Sequence, residues 1–107
     1  MALDISNSMM AEDVAPNRLG RAKQLVSKLV DDMEDDKVGM VVFAGNAFTQ
    51  LPITCDRISA KMFLRTITPN LIRTQGTAIG AALQTSMLSF GDLEQNVGRA
   101  IIIITDG

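Results

Sequence analysis

Apolar residues recur along this 107-residue chain with two different periods, and the changes of period divide it into elements. From Arg18 to Met33, Leu19, Ala22, Leu25, Val26, Leu29, Val30 and Met33 follow at steps of three and four. That is one buried face of an amphipathic helix, with Asn17 placed to cap its start. Lys37 to Ala44 (KVGMVVFA) is short, continuous and rich in valine, which predicts a buried strand. Gly45-Asn46 signals a turn, and Phe48 to Ile53 predicts a second strand in hairpin contact with the first. Pro52 suits an edge strand. After the cap candidates Thr54, Cys55 and Asp56, the residues Ile58, Met62 and Ile67 mark a shorter helix. A polar loop from Thr68 to Thr77 leads into a helix from Ala78 to Phe90, with Ile79, Ala82, Leu83 and Met87 inward and Gly91 ending it. Ile101 to Ile104 predicts a fully buried strand, and Met1 to Asp4 reads as the tail of another.

The order is therefore strand, helix, strand, strand, helix, helix, strand. Continuous apolar strands alternating with helices predict an α/β fold: an open, mostly parallel, doubly wound (Rossmann-like) sheet covered on both faces. Right-handed crossovers place the second strand on one side of the first and the last on the other. The expected strand order is 3-2-1-4, with strand 3 antiparallel at the edge. The first and last strands then meet at a switch point, where ligands of such sheets sit beyond the carboxyl ends. Both strands run into an aspartate there, Asp4 and Asp106.

Composition narrows the function classes. The chain has room for one domain, and 47% hydrophobic with 21% charged residues is an ordinary globular balance. A net charge of −2, with four Phe and no Trp or Tyr, gives neither the basic footprint nor the stacking platforms of a nucleic-acid binder. Without histidine, Ser-His-Asp and Cys-His catalysis and His-ligated zinc are excluded. Cys55, the one cysteine, reads as a small helix-start residue with no base to activate it. The acidic run Asp31 to Asp36 lacks the spacing of a calcium loop and reads as a solvated helix end, although it sits at the disfavoured end of the helix dipole. Met9 and Met10 read as packing, and Arg73 as a solvated loop charge. No stretch is long and apolar enough for a membrane span.

Three segments converge on the switch point: Asp4-Ile5-Ser6-Asn7-Ser8, Gly76-Thr77 and Thr105-Asp106-Gly107. The alternation of Asp4, Ser6 and Ser8 aims three side chains of one loop at a common centre. Gly76 lets the backbone approach closely, and Gly80 is expected to let its helix pack tightly on the sheet. Asp4, Ser6, Ser8, Thr77 and Asp106 form an all-oxygen set suited to a hard cation, Mg²⁺ or Mn²⁺.

Asp-x-Ser-x-Ser after a strand, a Gly-Thr with Gly three residues beyond the Thr, and Thr-Asp-Gly closing a strand together resemble the metal-ion-dependent adhesion site of von Willebrand factor A domains. The resemblance runs the length of the chain; Asn7 stands where many members have glycine. The string DISNSM followed by EDVAPNRL resembles the bacterial aerotolerance (Bat) branch more specifically. The resemblance implies a non-enzymatic interaction module, its ion held by Ser6, Ser8 and Thr77 directly or through water and by Asp4 and Asp106 mainly through waters. The open position would take an Asp or Glu of a partner protein. It further implies a bacterial, membrane-anchored parent with this domain in the envelope, and other Bat proteins or a MoxR-type ATPase as partners. The family's sheet normally runs on beyond its Thr-Asp-Gly strand, so residues 1–107 are expected to be a single, C-terminally incomplete domain. Such a fragment is expected to self-associate through the Arg99–Thr105 edge. Two other readings remain: a magnesium-dependent phosphotransferase with Asp4 as nucleophile, resembling haloacid dehalogenases but with Ser6 where their second acid stands, and a metal-free scaffold.

Overall fold

The computed structural model describes residues 1–13, 17–33, 36–90 and 98–105. Its elements are β1 (Ala2–Asp4), α1 (Arg18–Asp32), β2 (Val38–Phe43), β3 (Ala47–Thr54), α2 (Arg57–Arg65), α3 (Ile79–Phe90) and β4 (Ile103–Ile104), with 3-10 turns at Asn7–Met10 and Pro69–Leu71. The sheet order is β3-β2-β1-β4. β1 runs parallel to β2 and to β4, while β3 returns antiparallel at the edge. This is the expected topology, with β1 in the middle and its carboxyl end facing the switch point.

Alternation along the strands supplies two faces. Leu3 of β1 with Met40 and Val42 of β2 joins the larger core, under Leu19, Ala22, Val26 and Val30 of α1 and Ala60 and Leu64 of α2. Ala2, Val41 and Phe43 point the other way, against Ala82 of α3. Asn17 caps α1 as expected, its side-chain oxygen accepting from Gly20 N at 2.6 Å. Asp56 caps α2 through Ser59 N (3.1 Å) and Ser59 Oγ (2.7 Å). The Ser59 hydroxyl and then its amide hold the Asp56 carboxyl below its ordinary range. At the far end of α1, Lys61 of α2 pairs with Asp31 and Arg57 donates to the Asp31 carbonyl. Cations borrowed from α2 thus answer the acidic end of α1, which the sequence pattern left without a physical account; Glu34 and Asp35 lie outside the described residues.

The helices turn differently from their apolar pattern. On α2, Ile58 and Met62 are 75% and 59% exposed, while Ala60, Leu64 and the following Ile67 are buried. Ala60 joins the larger core together with Leu64 and Ile67, while Ile58 and Met62 lie on the outer side of the helix. On α3, Ala82 and Ser86 are buried whereas Leu83 and Met87 are exposed. The Ser86 hydroxyl satisfies itself by donating to Ala82 O at 2.7 Å. Leu25 of α1 is half exposed. Gly91 lies outside the described residues. Nor is Ile101 to Ile104 fully buried: the strand proper is Ile103–Ile104, Ile102 is exposed, and Ile101, Ile103 and Ile104 are half-buried. No strand lies against the outer edge of β4 among the described residues.

These burials make a direct contrast. Leu64→Ala removes a core side chain and is expected to cost about 2–5 kcal/mol. Met62→Ser, two residues back and on the opposite, solvent side of the helix, should change stability by no more than about 0.5 kcal/mol. Urea unfolding of the two variants against the wild type checks the orientation of α2.

Candidate metal centre

The site grows from the end of β1. The parallel ladder with β2 runs past the strand, Ile5 N donating to Phe43 O at 2.8 Å. Asp4, directly before it, is fully buried. A carboxylate there is tolerable only if donors meet it, and two do. Ser6 N donates to Asp4 Oδ1 at 2.8 Å, a turn closed by the side chain two residues back. Thr105 Oγ1 donates to Asp4 Oδ2 at 2.6 Å from the other side of the strand pair.

Beyond Asp4 the chain does not stay extended, as side-chain alternation would require. Ser6 is extended (φ −63, ψ 163) and leads into the 3-10 turn Asn7–Met10, with Met9 N donating to Ser6 O at 3.0 Å. Met9 is buried and pins the turn, as expected, while Met10 is 43% exposed. The turn brings the Ser6 and Ser8 hydroxyls to 3.0 Å from one another. Ser6 stands at the cap of this turn yet makes no side-chain cap hydrogen bond. Its hydroxyl is turned toward Ser8 instead, so a plain turn-and-cap role does not account for it.

The second loop is held against the first through glycines. Gly45 N donates to Thr74 O at 2.8 Å, and Ala78 N donates to Ala44 O at 2.7 Å. A Cβ at Gly45 would lie 2.4 Å from Gln75 O and 2.7 Å from Thr74 O, both backbone atoms. Gly76 (φ +132) faces Gly45 across this gap in a conformation that side chains resist. Gln75 Oε1 accepts from Asn7 N at 3.3 Å, tying the loop that carries Thr77 to the loop that carries Ser6 and Ser8. Thr77 itself is exposed at the head of α3. Gly80 does not serve helix packing: it is exposed, and a Cβ there meets nothing within 4 Å.

Of the five expected ligands, Asp4, Ser6 and Ser8 are brought together and Thr77 lies on the loop tied to them. Asp106 lies outside the described residues. Thr105 and Gln75 were not singled out as site residues from the sequence. Thr105 had no signal in the sequence alone: the ladder, which pairs Leu3 with Ile104, is what sets it beside Asp4. No three His, Cys, Asp or Glu side chains cluster among the described residues; what gathers here is chiefly hydroxyls. Those oxygens fit a hard cation in one measurable respect. Neighbouring oxygens of an octahedral Mg²⁺ shell at about 2.0–2.1 Å stand about 2.9 Å apart, close to the 3.0 Å between Ser6 Oγ and Ser8 Oγ.

A profile of the von Willebrand factor type A domain matches residues 1–107. Among solved structures, BatB from Bacteroides thetaiotaomicron, a conserved hypothetical protein, is 64% identical with a TM-score of 0.92 over 95% of this chain and 49% of that one. An aerotolerance-related membrane protein from Bacteroides fragilis is 67% identical, with a TM-score of 0.89 over 95% of this chain and 50% of that one. The fold is shared with proximal thread matrix protein 1 of the mussel byssus, solved with a zinc-occupied MIDAS (metal-ion-dependent adhesion site) motif, at 24% identity and a TM-score of 0.81, over 99% of this chain and 27% of that one. The chain spans about half the length of the two Bacteroides proteins and a quarter to a third of the curated relatives it matches.

The glycine contact predicts a pair of opposite effects. Gly45→Ala must displace the backbone of the second loop and is expected to cost at least about 1–3 kcal/mol, with faster hydrogen exchange at the Ala78 amide. Gly80→Ala, in open space on a helix, should stabilise by about 0.5–1 kcal/mol. Thermal melts with amide exchange check both.

Proposed function

The chain belongs to the von Willebrand factor type A domain family, and on that premise we propose that it is a metal-dependent protein-interaction module. Asp4, Ser6, Ser8, Thr77 and Asp106 are the side chains that would hold a divalent cation, Mg²⁺ or Mn²⁺. The bound cation would supply an open coordination position for an Asp or Glu carboxylate of a partner protein. The observation that carries this reading is the Ser6–Ser8 pair, two hydroxyls brought within 3.0 Å of each other by the turn after β1, with Ser6 making no side-chain cap hydrogen bond.

The chain's own residues divide the work. Ser6 and Ser8 offer neutral oxygens, which leave a cation's charge poorly balanced and so favour an anionic partner. Asp4, buried and held by donors on both oxygens, offers its remaining lone pairs in a fixed direction. Ser6, standing where a haloacid-dehalogenase-type phosphotransferase carries its second acid, argues against Asp4 as a phosphotransfer nucleophile. The zinc-occupied motif of the mussel protein supports a divalent ion in this fold. The likeness to an aerotolerance-related membrane protein supports a bacterial, membrane-associated parent, with the domain in the envelope and other Bat proteins or a MoxR-type ATPase as partners. No helix among the described residues is long and apolar enough to cross a membrane.

Calorimetric titration with Mn²⁺ tests the proposal. Binding is expected in the wild type and in excess over EDTA only. Ser8→Ala, at an exposed position that spares the core, should weaken it by tenfold or more, about 1.4 kcal/mol. Unchanged affinity in Ser8→Ala would remove that residue from the site, and turnover of a generic aryl phosphate would favour the phosphotransferase instead.

A further inference from the structure

We propose that Thr105 is a positioning residue of the metal site, setting the plane of the Asp4 carboxylate from the neighbouring strand. The inference rests on the metal-site reading and deepens it. Asp4 carries two oxygens and a terminal torsion that is intrinsically broad. The bond from Ser6 N to Oδ1 fixes one oxygen, but a carboxylate held at a single point still turns about its Cβ–Cγ axis. The bond from Thr105 Oγ1 to Oδ2, at 2.6 Å, stops that rotation. It comes from 101 residues away in sequence, on a strand whose register with β1 is set by Ala2–Ile103 and Leu3–Ile104 pairing. The carboxylate plane is therefore locked to the sheet, and not only to the loop that carries Ser6 and Ser8.

The direction of the bond follows from chemistry. A carboxylate can only accept, so the Thr105 hydroxyl donates. Its short length is that of a charge-assisted bond. With its proton committed to Asp4, the Thr105 hydroxyl fixes where the second carboxylate oxygen lies. A valine at this position keeps the shape and the β-branching of the strand end but supplies no proton. A serine keeps the proton and loses only a methyl group.

The test is calorimetric Mn²⁺ titration of the 107-residue chain with Thr105→Val and Thr105→Ser, each beside its urea midpoint. Residues that hydrogen-bond to a metal ligand commonly account for about 10–100-fold in affinity, and Thr105→Val is expected to lose that much. Thr105→Ser should stay within about threefold of the wild type, a rescue that general damage to the strand end would not give. The wild type offers a second readout needing no variant: the Thr105 hydroxyl proton should be protected from exchange with water. Wild-type affinity in Thr105→Val, equal losses in both variants, or a hydroxyl exchanging as fast as that of an exposed threonine would each overturn the proposal. A wild type that takes up no Mn²⁺ would overturn the metal-site reading, and this inference with it. Binding that persists undiminished in Thr105→Val overturns this inference alone.

Discussion

Everything at the switch point depends on keeping a carboxylate where the sheet would otherwise place an apolar side chain. Asp4 ends β1 with its neighbours Ala2, Leu3 and Ile5 all buried, and an unmet charge there would cost several kcal/mol. Its two donors come from opposite directions, one from the loop it begins and one from β4. Meeting the charge thus fixes the loop after β1 and the end of β4 at once, and the local geometry of the site is a consequence. The burial that makes Asp4 costly also makes its placement specific.

The second constraint is steric. Loop 74–77 can lie against the end of β2 only because Gly45 and Gly76 have no side chains to separate them. That approach, with the Gln75–Asn7 bond, ties the loop that carries Thr77 to the loop that carries Ser6 and Ser8. Hydroxyls dominate the site, and the difference from a carboxylate cage is functional. A cage of carboxylates would neutralise a divalent ion and keep it for structure, whereas neutral oxygens leave charge for a partner to satisfy.

How much of this was legible in the sequence varies with the kind of information each feature carries. The topology was legible, because strand periodicity and right-handed crossovers leave few arrangements, and β3-β2-β1-β4 is the one expected. The helix faces were only partly legible. Ile58, Met62, Leu83 and Met87 have the apolar character of a core stripe, but α2 buries Ala60 and Leu64 and α3 buries Ala82 and Ser86. Hydrophobicity does not reveal which turn of a helix comes closest to the sheet. The segment after β1 was read as a loop whose alternate spacing aims Asp4, Ser6 and Ser8 at a common centre, and the 3-10 turn that brings Ser6 and Ser8 together was not foreseen. The role of Thr105 was hidden by the symmetry of two strands both running into aspartate. The ladder pairs Leu3 with Ile104 and so brings Thr105 beside Asp4.

The central claim is that a divalent ion is held at the end of β1 and nowhere else on the chain. The most direct measurement is paramagnetic broadening of amide resonances in the isotope-labelled chain as Mn²⁺ is added in substoichiometric steps. Because the effect falls steeply with distance from the ion, it locates the site without altering a residue. Broadening is predicted to appear first at Ser6, Ser8 and Thr77 and to leave the acidic end of α1 sharp. Broadening centred on Asp31 to Asp36, or spread evenly over the surface, would contradict the account.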